Sequence, residues 1–324
     1  MTWLSWDKGQ ARLARVGAML TDLEFRLPDG RSVAPLHKAH WLAKELPVDV
    51  PPLLAGLQGE WPCVPFGFAP EGSLAGDWAV SSRSPDPWPH GFAANHTWQV
   101  SSAAPDEVQA EIVYPETDPV RRLTRSVRGV TGEAAVEIGL EIHMRREARL
   151  PIGIHPVFRL PAGVGQARLR PGVYERGYCH PGETGGSPAF STPESFRFDA
   201  LPEMGFDPLS LPYETPSETL LLLSGTDGHF ELENLADQYR VALDWNARAF
   251  PSVMLWISNG GRRAAPWNGR HVALGVEPVC SAFDLGVAIS GETNPLSREG
   301  IKTAQALRPD RVFETRYRIS VAAL

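Results

Sequence analysis

The chain has 324 residues, of which 43% are hydrophobic, 21% are charged and 9% are aromatic. This composition is typical of a globular protein with a large core, and it excludes an intrinsically disordered chain. The formal net charge of −7 argues against a general nucleic-acid-binding protein, because such a protein must neutralise phosphates. The 30 glycines and 30 prolines are spread over the whole chain, which favours many short strands joined by turns over long helices.

Three further features concern the compartment in which the protein works. Apolar runs such as residues 220–223 are far shorter than the roughly 18 residues of a membrane-spanning helix, so we expect no membrane association. The N-terminal residues carry scattered charges and no apolar segment, unlike a secretion signal. The cysteines (Cys63, Cys179 and Cys280) are odd in number and far apart, which does not suggest a disulfide framework. We therefore predict a cytoplasmic protein.

Alternation of apolar and polar residues predicts β-strands along most of the chain. Segments 19–27 and 31–36, joined by Pro28-Asp29-Gly30, predict a β-hairpin. The next segments predict an antiparallel meander with one exposed face, and they are 108–114, 123–130 and 135–144. Later strand-like segments are 241–245, 252–258, 271–277 and 312–321. Helical periodicity is scarce, so the pattern predicts an all-β sandwich or barrel.

The domain organisation is expected to be simple. No internal repeat or low-complexity linker divides the chain, so we expect one domain over residues 1–324. The most irregular stretch, about 171–216, is rich in Gly, Pro, Ser and Glu. It predicts a long surface excursion, of the kind that often lines a binding face on a β scaffold.

Three short motifs place an ionisable side chain at the edge of an apolar segment. His90 stands between a proline and a glycine before a predicted strand, which indicates a constrained turn. His155 precedes a proline in an apolar setting that could lower its pKa or select its tautomer. Glu277 ends an apolar strand in which Val or Ile would be the ordinary choice. Each residue alone is more typical of a structural role, but the three together suggest a functional site.

The common nucleotide-binding, metal-binding and nucleophile motifs are absent from the sequence. His37 and His40 form an HxxH pair without further ligands nearby, which indicates surface residues rather than a metal site. We therefore predict neither a metal nor a cofactor. The loop Gly260-Gly261-Arg262-Arg263, with Arg270 after it, is open to two interpretations: a solvated loop, or a clasp for a phosphate or carboxylate.

The motifs resemble, in order and approximate spacing over about residues 16–290, those of the aldose 1-epimerases, the galactose mutarotase family. The matching segments are Val16-Gly17-Ala18-Met19 before the hairpin, His90-Gly91 with Trp98 downstream, His155-Pro156-Val157-Phe158, and Glu277-Pro278 followed by Phe283-Asp284. The resemblance implies a single-domain antiparallel β-supersandwich with an open carbohydrate groove. It also implies a metal-independent isomerase that interconverts the anomers of a hexose by opening and closing the sugar ring.

The same resemblance assigns roles to individual residues. It implies that Glu277 is the general base, that His155 is the general acid, and that His90 holds or polarises the sugar near its ring oxygen. Among the ten tryptophans, Trp256 is the predicted stacking face for the sugar. The expected partner is a small sugar, which would be anionic or 6-phosphorylated if the arginine loop faces the groove, and the protein is expected to be a monomer or homodimer.

Two positions depart from the family pattern. The family's arginine has no counterpart in residues 60–67, and Arg83 is the candidate substitute. The acidic residue that contacts sugar hydroxyls in the family matches either Glu218 or Asp227. The missing arginine motivates an alternative function, a non-catalytic carbohydrate-binding or sensing protein on the same fold. A glycoside hydrolase or lyase would need a second catalytic group beside Glu277.

Overall fold

The described part of the chain, in a computed structural model, comprises residues 2–42, 46–68, 74, 76–78, 87–192 and 194–324. Arg83 therefore lies outside the described residues. Strands of the first half are β1 (Thr2–Trp6), β2 (Gly9–Leu13), β3 (Leu20–Arg26), β4 (Ser32–Val33), β5 (Pro62–Cys63), β6 (Gln99–Ala104), β7 (Glu107–Val113), β8 (Val120–Gly129), β9 (Ala135–Met144), β10 (Ala148–Leu150), β11 (Ile152–Ile154) and β12 (Val157–Arg159).

The second half continues the same pattern of strands. They are β13 (Ala167–Pro171), β14 (Arg176–Cys179), β15 (Ser210–Leu211), β16 (Ser217–Ser224), β17 (His229–Asn234), β18 (Tyr239–Trp245), β19 (Ser252–Asn259), β20 (Val272–Cys280), β21 (Gln305–Leu307) and β22 (Phe313–Ala323). The helices are short: α1 (Pro52–Ala55), α2 (Gly91–Asn95), α3 (Gly286–Gly291) and α4 (Pro295–Arg298), with 3-10 turns at Gly76–Trp78 and Phe198–Ala200.

Two large antiparallel sheets dominate the described residues. The nine-stranded sheet has the order β15-β13-β17-β18-β22-β9-β8-β7-β6. The seven-stranded sheet has the order β14-β16-β19-β20-β11-β5, with β12 also paired to β20. Smaller sheets are β1-β2-β3-β4 and β10-β21. This architecture confirms the predicted all-β fold class.

Most of the predicted strands are present. The first hairpin forms with Phe25 opposite Val33, and the predicted meander is β7-β8-β9 within the nine-stranded sheet. The later segments are β18, β19, β20 and β22. The prediction was wrong after His90, which precedes the short helix α2 rather than a strand. The irregular stretch 171–216 contains β14, β15 and a 3-10 turn, and its Phe190 and Phe196 are buried.

The seven-stranded sheet is covered on both faces, which explains its nearly continuous apolar sequence. Leu255 on β19 belongs to the main core between the two large sheets. Its neighbours Met254 and Trp256 point to the opposite face and pack in a second apolar cluster with Trp61. Because successive side chains of a strand point to opposite faces, a strand buried on both sides reads as an apolar run without polar alternation. The functional site lies on the face of this second cluster.

A buried polar group connects the edge of the seven-stranded sheet to the nine-stranded sheet. Glu60, directly before β5, is fully buried and forms an ion pair with Arg125 on β8. The hydroxyl of Tyr317 on β22 donates a hydrogen bond to the same carboxylate over 2.5 Å. Both charged side chains are almost completely removed from water, at 1% and 0% exposure, so each depends on the other for compensation.

We predict that Arg125→Met lowers the free energy of unfolding by about 3–5 kcal/mol, because it leaves the Glu60 carboxylate buried without its cation. The double variant Glu60→Gln/Arg125→Met should recover most of this loss, since neither charge then remains. Urea unfolding followed by circular dichroism measures the free energy of unfolding of the wild type, of each single variant and of the double variant. Simple additivity of the two single substitutions would contradict the interpretation of a mutually dependent pair.

Candidate functional site

A cavity of about 270 Å³ lies over the outer face of the seven-stranded sheet. The antiparallel register places Met254 opposite Glu277 and Trp256 opposite Gly275, so the side chains of Met254, Trp256 and Glu277 lie on one face. The described residues that line the cavity are Pro51, Leu53, Leu54, Leu57, Trp61, Phe68, Pro89, His90, His155, Leu220, Met254, Trp256, Arg262, Trp267, Glu277 and Asp284. The cavity is thus mainly apolar, with a few ionisable groups.

Glu277 and His155 are adjacent at the buried end of this cavity. The Nε2 atom of His155 lies 3.3 Å from Oε1 of Glu277, and the two side chains are 5% and 0% exposed. Neither oxygen of the Glu277 carboxyl group forms a hydrogen bond within the described residues, and Nδ1 of His155 has no partner there either. Polar groups buried in this way are costly for the fold, which makes them candidates for a chemical role.

Aromatic contacts fix the orientation of His155. Its backbone N–H donates to the carbonyl of Trp61 over 2.9 Å, and the two rings stack with centroids 4.2 Å apart. The ring of His90 meets the ring of His155 edge-on, at 4.9 Å. His90 adopts a left-handed backbone conformation, with φ of 56°, before the glycine that starts α2. The constrained turn predicted from the sequence therefore exists and brings His90 to His155.

Burial decides the protonation of this group. Loss of hydration raises the pKa of Glu277 well above its usual value, and the charge of Asp284 raises it further. Burial lowers the pKa of His155 well below its usual value, and the nearby His90 adds to this effect. Burial also lowers the pKa of His90 to about 4. The neutral forms are therefore favoured: a protonated carboxyl group at Glu277, and imidazoles with a single N–H at His155 and His90.

Arg262 lies at the side of the cavity and is held by groups behind it. Its Nε lies 3.0 Å from Oε1 of Glu218 and donates to the carbonyl of Thr184 over 3.1 Å. Its guanidinium also lies over the rings of Trp256 and Trp267, at 5.4 and 4.8 Å from their centroids. Arg262 therefore lines the cavity, whereas Arg263 and Arg270, the other arginines of the glycine-rich loop, are exposed.

Asp284 contributes a second carboxylate to the cavity. Burial alone would raise its pKa, but the neighbouring His180 and Arg262 hold it below the usual value. The Nε2 atom of His180 lies 2.9 Å from Oδ1 of Asp284, and this contact raises the pKa of His180 despite its burial. The two residues therefore form an ion pair, with His180 largely buried and Asp284 34% exposed.

Four of the residues predicted from the sequence come together in the cavity: His90, His155, Trp256 and Glu277. Glu218 lies behind it, where its carboxylate accepts hydrogen bonds from Trp256 (2.5 Å) and Ser258 (3.0 Å) besides pairing with Arg262. One face of the Trp256 ring is stacked on His271, with centroids 5.2 Å apart.

Asp227 lies away from this group, and the structure explains why. Its carboxylate accepts backbone hydrogen bonds from Val173 and His229, so it stabilises a turn next to β17 rather than lining the cavity. Between the two acidic candidates, Glu218 is the one near the site, and Asp227 does not belong to it. The expectation about Arg83 falls on a residue outside the described part of the chain.

Sequence reasoning missed His180, Thr184 and Trp61, which support the site from outside the recognised motifs. His180 lies in the irregular stretch and is followed by a proline, as His155 is, so the repeated His-Pro pair was a usable signal. Thr184 contributes only its backbone carbonyl, for which a sequence carries no sign. Asp284 belongs to the segment after Glu277 that resembles the family, but the sequence predicts no role for it.

Two other features are absent from the described residues. No group of three or more His, Cys, Asp or Glu residues in these parts of the chain is arranged to hold a metal ion. None of the described helices has both the length and the apolar character needed to cross a membrane.

We predict that Gly275→Ala lowers catalytic activity much more than it lowers the stability of the fold. A Cβ atom at this position would collide with Oε1 of Glu277 and would lie 3.1 Å from Cβ of Trp256, so the carboxyl group must move. The thermal midpoint should change by a few degrees, whereas activity should fall about tenfold or more, because small displacements of reacting groups have large effects. Gly291→Ala is the matched control, since its nearest contact would be an ordinary 3.6 Å. Equal activity of the two variants would contradict the prediction.

Comparisons with known proteins find similarity in three dimensions only. No protein-family model and no curated protein matches the sequence. Among solved structures, a galactose mutarotase-like protein from Clostridium acetobutylicum is 14% identical, with a TM-score of 0.65, and the alignment covers 99% of this chain and 95% of that one. A galactose mutarotase-like protein from Lactobacillus casei (14% identity, TM-score 0.62) is covered over 99% of both chains. The alignment with the GalM/aldose epimerase homologue from C. elegans (14% identity, TM-score 0.63) covers 99% of this chain and 98% of that one. The resemblance drawn from the sequence is thus confirmed for the fold, and the chain has the galactose mutarotase-like β-sandwich fold.

Proposed function

We propose that the protein is an aldose 1-epimerase, which interconverts the α and β anomers of a sugar by general acid–base catalysis at Glu277 and His155. The observation that carries this proposal is the fully buried Glu277 carboxyl group, which has His155 at 3.3 Å and no hydrogen-bond partner in the described residues. A substrate hydroxyl would supply the partner that the fold leaves out. Names of the structural neighbours, which include mutarotase-like proteins and an aldose epimerase homologue, agree with this reaction class.

The reaction needs two proton transfers at neighbouring oxygens of the sugar. One group takes the proton of the anomeric hydroxyl while another protonates the ring oxygen, so that the C1–O5 bond breaks and the open-chain aldehyde forms. Rotation about C1–C2 followed by closure, with the proton transfers reversed, gives the other anomer. A positioned acid or base contributes typically 10²–10⁴-fold to such a rate, and this chemistry needs only a carboxyl group and an imidazole.

The directions of the pKa shifts fit this reversible chemistry. Burial favours the neutral form of each group, so that the acidic proton of the pair is on Glu277. If Glu277 acts as base and His155 as acid, as the sequence resemblance implies, that proton must pass to Nε2 of His155 as the sugar binds. The two atoms between which the proton would pass, Oε1 of Glu277 and Nε2 of His155, lie 3.3 Å apart. Because opening and closing are the reverse of one another, the same pair serves as acid in one direction and as base in the other.

The surroundings of the pair suit a single sugar ring. The cavity of about 270 Å³ is close to the lower end of the volumes usual for small-molecule sites, about 300 Å³, so it favours a monosaccharide over a longer glycan. The ring of Trp267 at its wall offers apolar surface to sugar CH groups and limits the access of water. His90 lies next to His155, which supports the contact near the sugar's ring oxygen that the resemblance implies.

We predict that Glu277→Gln reduces the enzyme-catalysed rate of anomer exchange by about 100-fold or more, because the amide can neither donate nor accept the transferred proton in the same way. Exchange NMR on a panel of neutral and 6-phosphorylated aldoses measures the rate against a buffer blank. Glu141→Gln is the matched control, since Glu141 is an exposed carboxylate on β9 and its replacement should leave the rate unchanged.

The same panel separates this function from its alternatives. Saturable quenching of tryptophan fluorescence by a sugar, without any acceleration of exchange, would support the carbohydrate-binding or sensing protein. Release of reducing sugar from a glycoside panel would support a hydrolase, for which Asp284 now supplies a second carboxylate at the cavity. Undiminished exchange by Glu277→Gln would contradict the proposed role of Glu277.

We also predict that the catalysed rate of anomer exchange does not decline with acid over the pH range in which an exposed histidine titrates. Catalysis needs one proton on the pair, so it fails only when His155 is also protonated or when Glu277 loses its proton. The first event occurs below the usual histidine value of 6.5 and the second well above the usual glutamate value of 4.5, because both shifts are caused by burial. The catalysed rate should therefore not decline as the pH falls from 7 to about 5.5, whereas an exposed histidine base would lose about nine-tenths of its activity over that range. A decline with a midpoint near 6.5 would contradict the prediction.

A further inference from the structure

Two oppositely charged side chains at the cavity are both held by one segment of the irregular stretch. His180 pairs with Asp284, and the carbonyl of Thr184 accepts a hydrogen bond from Arg262. The same segment continues to Ser187, whose carbonyl accepts the backbone N–H of Glu218, the ion-pair partner of Arg262. Residues 180–187 therefore supply the ion-pair partner of Asp284 and contact both Arg262 and its partner Glu218.

The two charges differ from the Glu277–His155 pair in their exposure. Glu277 is fully buried, whereas the side chains of Arg262 and Asp284 are 24% and 34% exposed. The acid–base pair thus lies at the closed end of the cavity, and Arg262 and Asp284 lie toward its open end. A sugar with its anomeric carbon at Glu277 would direct its more distant substituents to these two residues.

Asp284 is prepared to accept hydrogen bonds in its charged form. Its pKa is held below the usual value by His180 and Arg262, so it is ionised at neutral pH. The imidazole of His180 is itself fixed, because Nδ1 lies 3.1 Å from the carbonyl oxygen of Gly182 while Nε2 faces Asp284. A carboxylate that is ionised, oriented and partly open to the cavity is a strong acceptor for hydroxyl groups.

The charges at the open end balance one another. Arg262 is compensated by Glu218 behind it, and Asp284 is compensated by His180. No described cation in this group lacks an anionic partner, so a phosphate brought to Arg262 would meet a guanidinium that is already paired and a carboxylate of its own sign. A neutral sugar meets neither penalty, because its hydroxyls can donate to Asp284 and accept from Arg262.

We propose that Asp284, positioned by His180, is a specificity-determining residue that accepts hydrogen bonds from the substrate's hydroxyls and disfavours sugars with an anionic substituent. The inference deepens the proposed epimerase function and depends on it for the identity of the ligand. It favours neutral over phosphorylated sugars, a choice that the sequence did not decide.

The test compares three sugars of one stereochemistry: glucose, glucose 6-phosphate and glucuronate. For the wild type, kcat/KM for anomer exchange should be highest with glucose. Asp284→Asn should lower the value for glucose and narrow the preference over both anionic sugars by about tenfold or more, because the like charge is gone. Asp199→Asn is the matched control, an ion-paired aspartate of the same irregular stretch that does not line the cavity. An unchanged preference in Asp284→Asn, or a wild-type preference for glucose 6-phosphate, would overturn the proposal.

A second variant tests the positioning role of His180. His180→Gln removes the cation but keeps Asp284, whose pKa should then rise. The discrimination against anionic sugars should therefore persist at high pH and fade as the pH falls and Asp284 takes up a proton, a dependence that the wild type should lack. A loss of rate that is the same for all three sugars and at every pH would indicate a merely structural residue and overturn this role.

A protein that is not an epimerase would give a different result in these experiments. If the wild type accelerates exchange of none of the three sugars, the epimerase proposal fails. The effect of Asp284 on sugar binding is then measured by tryptophan fluorescence alone. Tighter binding of glucose than of its 6-phosphate, with the difference reduced in Asp284→Asn, would support the role of Asp284, and equal binding by wild type and variant would refute it.

Discussion

The buried ion pair between Glu60 and Arg125 is the interaction on which the geometry of the site depends. Glu60 lies at the edge of the seven-stranded sheet, and Arg125 and Tyr317 belong to the nine-stranded sheet, so their contact ties the two layers together. The next residue, Trp61, stacks on His155 and accepts its backbone N–H. A charged contact in the core therefore sets the position of the imidazole at the cavity.

The site divides its ionisable groups into two kinds of environment. At the closed end, Glu277 and His155 have few polar partners, and burial drives both toward their neutral forms. Toward the open end, Asp284 and Arg262 each have a counterion, which favours the ionised form of Asp284. Proton transfer benefits from the first environment, since groups without fixed partners can exchange protons with a substrate. Recognition of hydroxyls benefits from the second, since a charged group with a fixed orientation is a strong hydrogen-bond partner.

The sequence predicted the parts of the site that lie on regular strands or next to glycine and proline. Period-two alternation identified most of the large strands, and Glu277 was recognisable as a carboxylate in an apolar strand. The contribution of His180 was not predictable in the same way, because its ion pair with Asp284 joins residues 104 positions apart through an irregular segment. Asp227 and Glu218 looked equally suitable in sequence. Only the sheet register separates them, since it puts Glu218 opposite Ser258 beside the cavity.

The burial of β20 on both faces has a consequence for the folding of the chain. Its side chains alternate between the core of the sandwich and the cavity, with Val276 on one side and Glu277 on the other. A slip of one residue in its pairing with β19 would turn every side chain over and force the carboxyl group of Glu277 between the two large sheets. An apolar strand has little else to distinguish one alignment from the next. The residue proposed for catalysis thus also penalises misaligned strands, so that a protein with the wrong pairing would be unstable rather than merely inactive.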